Sequence, residues 1–338
     1  MIIKSRKYII LALLIIQLVL LMPRQGEADD FGSALKAAIT AFPAYPDIAG
    51  IGGAWAAVPR LSSDNPASLS VFNEYELKFV FYVNPIQVRF NGSQVANVVN
   101  SGVLIPLADG CLKIAYASID TDRMYNKKMP GSDHELDSQD VKVYYGRHIN
   151  DQIALGLLFK AWGSSKVRLR YPGITLGKSR GSARFNVSPG VLYQPVKNCY
   201  LGLTYEYGKE RVKTTNFDPY IFTQVKAAGN SYIRICRMGT AWQPRDGTLL
   251  ALDWRVGKID DPGTGDYDIN MFFFGIEQYI HQNVALRLGS LDGSVTAGTR
   301  FSYRNLFIDY AYINESLRDL DPHWGSSEAH TVAVSLVF

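Results

Sequence analysis

The sequence predicts an all-β fold: a transmembrane antiparallel β-barrel of about 14 strands with an N-terminal hatch in the lumen. Three observations predict it. The chain opens on an export signal. Its body alternates apolar and polar residues with period two and holds no later apolar run long enough for a spanning helix. Its last segment alternates up to a terminal Phe338. A large secreted β-protein would share the first two traits but has no need of the third.

The export signal comes first. Lys4, Arg6 and Lys7 form a basic start, and Tyr8 to Met22 is apolar except for Gln17. Pro23 then breaks the segment, and Gly26-Glu27-Ala28 places small residues at the −3 and −1 positions of a signal-peptidase site. Residues 1–28 are therefore expected to be removed on export to the outer membrane of a Gram-negative-type bacterium. The formal net charge is +4, but these residues hold four cations against Glu27. They account for +3, which leaves +1 and gives nucleic-acid binding no electrostatic support. Cys111, Cys199 and Cys236 are odd in number and far apart, and read as small apolar strand residues rather than a disulfide framework.

Residues 29–72 lack a strand pattern. Phe31, Leu35, Ala38 and Ile39 fit one face of a short helix that Pro43 and Pro46 end. Ile48-Ala49-Gly50-Ile51-Gly52-Gly53-Ala54-Trp55 and Asp64-Asn65-Pro66-Ala67 follow. Irregular backbone at membrane depth is tolerated only inside protein or against water, so a plug within the barrel is expected; a periplasmic tail is the alternative. Gly50, Gly52, Gly53, Asn65, Pro66 and Ala67 are the candidate hatch residues. Ile48, Ile51 and Trp55 are the candidate ligand contacts.

Residues 73–338 form the expected barrel. Leu155, Leu157 and Phe159 alternate with smaller or polar residues, as do Leu201, Leu203 and Tyr205, and Leu250, Leu252, Trp254 and Val256. Strands are predicted near 73–83, 98–107, 111–121, 139–149, 151–164, 184–195, 199–212, 231–242, 248–257, 269–280, 283–289, 295–303, 305–313 and 328–338. The connections after the even-numbered strands are tight. Those after the odd-numbered ones are mostly long, apart from Ser290 to Ser294, which is the topology of a membrane barrel with both termini in the periplasm. The eighth strand is ambiguous, because Ile233 and Ile235 compete with Tyr232 and Met238 for the outer face. Charges on the opposite face are expected in the lumen: Lys160, Arg168, Arg170, Glu277, Arg287 and Asp309. They form either a bracing ion-pair network or a substrate pathway, since a cation in lipid near the midplane costs ~2–4 kcal/mol. Arg at Gly202 or Thr204 on that face is expected to be tolerated better than Arg at Leu155 or Leu203 if the lumen has room. His330, Val332, Val334, Leu336 and Phe338 form an amphipathic last strand whose terminal aromatic is expected to signal to the barrel-assembly machinery.

In this context several motifs fall in a telling order. They are the glycine-rich stretch with Asn65-Pro66-Ala67, Tyr144-Tyr145-Gly146-Arg147, Leu155-Gly156-Leu157, Arg237-Met238-Gly239, Gly275-Ile276-Glu277, Arg287-Leu288-Gly289 and Asp309-Tyr310-Ala311-Tyr312. The chain resembles the FadL-like superfamily of hydrophobic-compound transporters over residues 47–338. It is more similar to the short members that include the shuttle protein of the Por (type IX) secretion system. The resemblance implies a fourteen-stranded barrel with an N-terminal hatch. The compact hatch and modest outer loops differ from those of the fatty-acid transporters.

No nucleophile elbow, His-Glu-x-x-His motif or phosphate-binding loop appears, so no enzymatic role, cofactor or metal is expected. Asp133, His134, Glu135, Asp137 and Asp140 read as a solvated outer loop, with divalent-cation binding beside lipopolysaccharide as the alternative. Two functions follow. One is passive uptake of a small hydrophobic molecule of the fatty-acid or hydrocarbon class. The other is a non-transporting barrel that docks a secretion or envelope partner. Outer-membrane lipid and lipopolysaccharide surround the protein in both.

Overall fold

The computed structural model describes residues 45–337, apart from 61–62, 75–79, 91–92, 122–123, 126–132, 172–173, 219–222, 262–264 and 315–326. The export signal, the helix expected over residues 31–39 and Phe338 lie outside the described residues. Fifteen strands form one antiparallel sheet; one of them is the two-residue bridge Met124–Tyr125, which leaves fourteen long strands among the described residues. They are β1 (Val80–Phe90), β2 (Ser93–Leu107), β3 (Gly110–Thr121), β4 (Asp133–His148), β5 (Ile153–Tyr171), β6 (Ile174–Val196) and β7 (Cys199–Asp218). The series continues with β8 (Thr223–Arg245), β9 (Thr248–Asp261), β10 (Gly265–His281), β11 (Val284–Leu291), β12 (Ser294–Tyr303), β13 (Leu306–Asn314) and β14 (Ser327–Val337). Each pairs with its neighbours in sequence. The pairings β1–β14 and β3–β4 complete the cylinder, so among the described residues no long strand is left with an unpaired edge for lipid to meet.

Local sequence explains the turns at one end. Asn198, Gly247 and Arg304 have positive φ in tight connections. At the other end Asp292-Gly293, with φ of 48° and 90°, makes the two-residue hairpin that keeps β11 and β12 short. Opposite that low side the wall is tall: β5 to β8 have 19, 23, 20 and 23 residues. A tilted strand crosses a bilayer in ~9–11 residues, so about half of each of these strands lies beyond the membrane. The expected loop over residues 165–183 is thus mostly sheet. The first strand also starts later than expected, because Pro66–Glu74 is a 3₁₀ helix.

The outer surface carries Leu155, Leu157, Leu201, Leu203, Leu286 and Leu288, all exposed, as a lipid belt. The packed core is inside. Ile48, Ile51, Val58 and Leu69 of the N-terminal segment pack with Leu104, Tyr144, Leu158, Phe273, Leu291 and Ile313 of the wall. The barrel is filled by its own N-terminal chain, as expected for a hatch. On β8, Ile233 and Ile235 point inward and Met238 outward, which settles the ambiguous strand.

The register corrects one group of lumenal charges. Lys142 pairs with Lys160 but Val141 pairs with Trp162, a bulge that inserts one residue in β5. Lys160 faces the lumen, 3.4 Å from Asp140 and 3.8 Å from Glu210. Past the bulge the parity reverses, because an extra residue moves every later side chain to the opposite face. Arg168 and Arg170 therefore point outward, where both meet Glu135. Asp137 meets Lys166 at 2.9 Å on the same face, so these acids serve cross-strand ion pairs rather than a cation site.

Candidate functional site

The hatch is built in two lobes. The first starts with Pro46, whose fixed φ suits the opening of the short helix α1 (Pro46–Ala49). Gly52 and Gly53, at φ 69° and 80°, turn the chain back in a conformation that side chains oppose. The Thr296 hydroxyl fixes this turn: it accepts from the Gly52 N–H at 3.0 Å and donates to the Gly50 carbonyl at 3.2 Å.

A buried carboxylate holds the next residues. One oxygen of Asp253 accepts the N–H groups of Trp55 and Ala56, each at 2.7 Å, and the Arg237 Nε–H at 2.8 Å. Arg237 also donates to the Gly53 carbonyl. Its guanidinium lies between the Trp55 and Phe273 rings, 4.2 and 4.1 Å from their centres. A desolvated cation between two aromatic faces and a carboxylate is held in one place.

The second lobe turns on Asn65. Its Nδ2 donates to the Ala56 carbonyl at 2.6 Å and to the Val191 carbonyl of β6 at 3.1 Å, while its Oδ1 accepts the Ala67 N–H at 3.0 Å. One side chain thereby joins the two lobes to the wall. Pro66 follows and starts the 3₁₀ helix. Tyr144 donates to Asp64 at 2.9 Å, and the Lys113 ammonium lies 4.6 Å from the rings of Tyr45 and Tyr144.

Toward the tight-turn end, six charges close a ring. Arg287 contacts Glu277 at 2.6 Å and Asp309 at 2.7 Å; Arg300 contacts Asp309 at 2.9 Å and Asp47 at 3.6 Å. Arg60 completes it, 3.9 Å from Asp47 and paired with Glu277. Signs alternate around it. Asp47 and Arg60 belong to the hatch and the other four to the wall, so the ring is a lock between them.

The wall receives the hatch on glycines. Gly146, Gly156, Gly190, Gly202, Gly275 and Gly289 all face inward, and a Cβ on each would fall 1.8–2.3 Å from a hatch atom. Gly146 pairs with Gly156, Gly156 with Gly190, and Gly275 with Gly289, so they form two rows across adjacent strands. Backbone lies on backbone there, which only glycine permits. Gly202 accordingly has no room for Arg, contrary to expectation: its Cβ would stand 1.8 Å from the Ala56 oxygen.

The structure thus gathers most of the residues singled out in the sequence. Gly50, Gly52, Gly53, Asn65, Pro66 and Ala67 contact the wall, and Glu277, Arg287 and Asp309 form the lock. Ile48 and Ile51 are buried in the hatch–wall core, whereas Trp55 is partly exposed. Arg237, Arg300, Asp47, Arg60 and Thr296 were not among those residues. Their signal was inward parity opposite another lumenal charge, readable only once the register is known. Contrary to the sequence reading, one Gly-x-Ser-x-Gly spacing does occur, Gly177-Lys178-Ser179-Arg180-Gly181, but it lies inside β6 as extended strand and forms no strand-to-helix elbow.

Beyond the hatch, toward the long-loop end, Ile233, Ile235, Ile259 and Ile269 form a second apolar cluster on β8 to β10. Met271 packs against both this cluster and the hatch-side core that includes Trp55 and Phe273. An apolar strip therefore leads down the inner wall to the hatch.

Fold and site together define a transmembrane barrel with a seated plug. No protein-family model and no curated protein matches the sequence. Solved structures do match. The chain is similar to the CymD monoaromatic hydrocarbon channel at TM-score 0.59 and 12% identity, with 87% of this chain and 97% of that one covered. The Ralstonia pickettii toluene transporter TbuX gives TM-score 0.59 and 12% identity over 88% and 99%. A Pseudomonas aeruginosa FadL homologue gives 0.51 and 11% over 93% and 98%. The likeness is one of fold, and spans nearly the whole of each of those chains.

Proposed function

We propose that the protein is an outer-membrane channel for passive uptake of small hydrophobic molecules. The supporting observation is the apolar strip from the isoleucine cluster through Met271 to Trp55 and Phe273, which ends on the hatch. Ligand enters from the long-loop end, collects on the strip because transfer from water favours apolar contact, and passes when the hatch shifts. On this reading residues 1–28 are removed on export, residues 29–72 act as the hatch, and the barrel-assembly machinery recognises the last strand. Monoaromatic hydrocarbons, carried by CymD and TbuX according to their names, are the first ligands to try.

The test is uptake of radiolabelled toluene by cells whose outer membrane contains this barrel or an inserted Ile235→Asp, Met271→Asp variant. Faster uptake with the native protein and a return toward background with the variant support the reading. Uptake identical with and without the native barrel would sink it. The six-charge ring favours a second reading, in which the lumen stays shut and the barrel docks a secretion or envelope partner. Mass spectrometry of lipids and proteins co-purified from native membranes separates the two. A bound hydrophobic molecule supports uptake, and a stoichiometric protein partner supports docking.

A further inference from the structure

Beyond the lipid belt, the outer faces of β5, β6 and β7 carry a block of cations. Arg180 stands directly opposite Lys166 on one side and Lys213 on the other. Lys178 stands opposite Arg168, and Arg211 lies two residues from Lys213. Burial alternates through residues 211–213, with Arg211 and Lys213 exposed and Val212 buried, so these cations look away from the lumen. Like charges directly opposite across strands are destabilising, and three in a row on adjacent strands require anions. Among the described residues, acids reach the block only from the β4 margin, where Asp137 meets Lys166 and Glu135 meets Arg168. Among the described residues, Lys178, Arg180, Arg211 and Lys213 have no acidic partner.

The height of the block tells which anions are at hand. Below it lie exposed Trp162 and a row of rings on the same three strands. Phe159–Phe185 and Phe185–Tyr207 each have centroids 6.3 Å apart. Aromatic girdles mark the interface of a membrane barrel. At ~3.3 Å per residue, the cations from Lys209 to Lys213, and Arg180 beside them, lie about 7–20 Å beyond these rings along the strands. That is the headgroup layer on the long-loop side. Guanidinium and ammonium groups there suit phosphate, arginine through a bidentate fork.

We propose that this patch docks the phosphorylated headgroup of a glycolipid in the surrounding leaflet, with Arg180 at its centre. The lipid chemistry it fits is a sugar bearing closely spaced phosphates, as in lipid A. The bound phosphates supply the charge that the Lys166–Arg180–Lys213 row lacks and fix the tall wall against the outer leaflet. The inference rests on membrane insertion with the long-loop end outward, and not on transport.

The test uses the full barrel in zwitterionic detergent, titrated with bisphosphorylated lipid A, with its dephosphorylated counterpart and with inorganic phosphate. The comparison is with the variant Lys178→Gln, Arg180→Gln, Lys213→Gln and with Arg180→Lys. Thermal unfolding and retention of labelled lipid are the readouts. The native protein is expected to bind lipid A and rise in Tm. The triple variant is expected to bind it at least tenfold more weakly, with Arg180→Lys in between. Equal lipid A binding by the triple variant would overturn the proposal, as would equal binding of the dephosphorylated lipid by the native protein. An equal response to inorganic phosphate would mean a general anion site and overturn the lipid assignment. Toluene uptake by the same variants is expected to be unchanged, so lipid docking and uptake fail or succeed separately.

Discussion

Gly202→Ala adds a single methyl group at the tightest contact between wall and hatch. The new Cβ would stand 1.8 Å from the Ala56 oxygen and 2.2 Å from its carbonyl carbon, so that carbonyl must retreat about 1.2 Å to reach even a 3.0 Å contact. The wall cannot yield instead, because Gly202 is paired on both sides, with Leu192 and Gly239. The hatch yields, and Ala56 carries two other contacts with it. Its N–H and that of Trp55 leave Asp253, and its carbonyl leaves Asn65. Hydrogen bonds to a charged group contribute ~1.5–3 kcal/mol each, so the two at Asp253 put the loss at about 3–6 kcal/mol. At ~1.4 kcal/mol per factor of ten, the unseated state gains at least about a hundredfold. Planar-bilayer recording reads this directly: the native barrel is expected to be nearly silent and Gly202→Ala to conduct. Leu203→Ala, one residue on and facing lipid, is the control and is expected to stay silent. A Gly202→Ala barrel that inserts, shifts on heating in gels as the native one does, and remains silent would refute the seating argument.

Three further outcomes follow from other parts of the site. Arg287→Met leaves Glu277 and Asp309 buried beside one fewer cation and is expected to cost ~3–5 kcal/mol in urea unfolding; a loss under 1 kcal/mol would show that the ring does not lock the hatch. Leu203→Arg places a cation in the lipid belt and is expected to weaken insertion by ~2–4 kcal/mol, against no change for Arg180→Gln outside the belt. Deleting Phe338 is expected to leave unfolded protein in the periplasm, and normal amounts of heat-modifiable barrel in the outer membrane would rule out its part in assembly.

Strand existence was legible because a half-buried wall writes period two into every strand, and the tight turns after even strands set the topology. Register was not. One extra residue near Trp162 moved Arg168 and Arg170 from the lumen to the outer surface, and no local pattern announces a bulge whose two sides both alternate well. Strand length was underestimated for a related reason. Above the lipid the outer face turns polar, so Lys166 to Arg170 and Lys178 to Arg184 look like loop although the ladder continues. One glycine seat, Gly202, was read as room for a larger side chain. A glycine on an inward face signals either space or contact, and only the hatch, far away in sequence, decides which.

The division of the hatch into lobes bears on where a gate can form. The first lobe, Pro46 to Arg60, touches β7 to β13 through Gly202, Arg237, Asp253, Glu277, Gly275, Gly289, Thr296 and the strand of Asp309; the second is tied to β4–β6 through Gly146, Gly156, Gly190 and Asn65. The apolar strip descends β8 to β10 and so reaches the first lobe alone. That lobe is held by directional contacts, one carboxylate, one threonine and one charged ring, and by the apolar packing of Ile48, Ile51 and Val58 against the wall. Apolar packing resists displacement gradually, whereas a few charge-assisted contacts are lost together once geometry fails. A lobe held this way has two states, seated and released, while the second lobe stays anchored by Asn65 close to where the chain joins β1. On the proposed uptake reading, opening is expected to move Pro46 to Arg60 and to leave the wall's register unchanged.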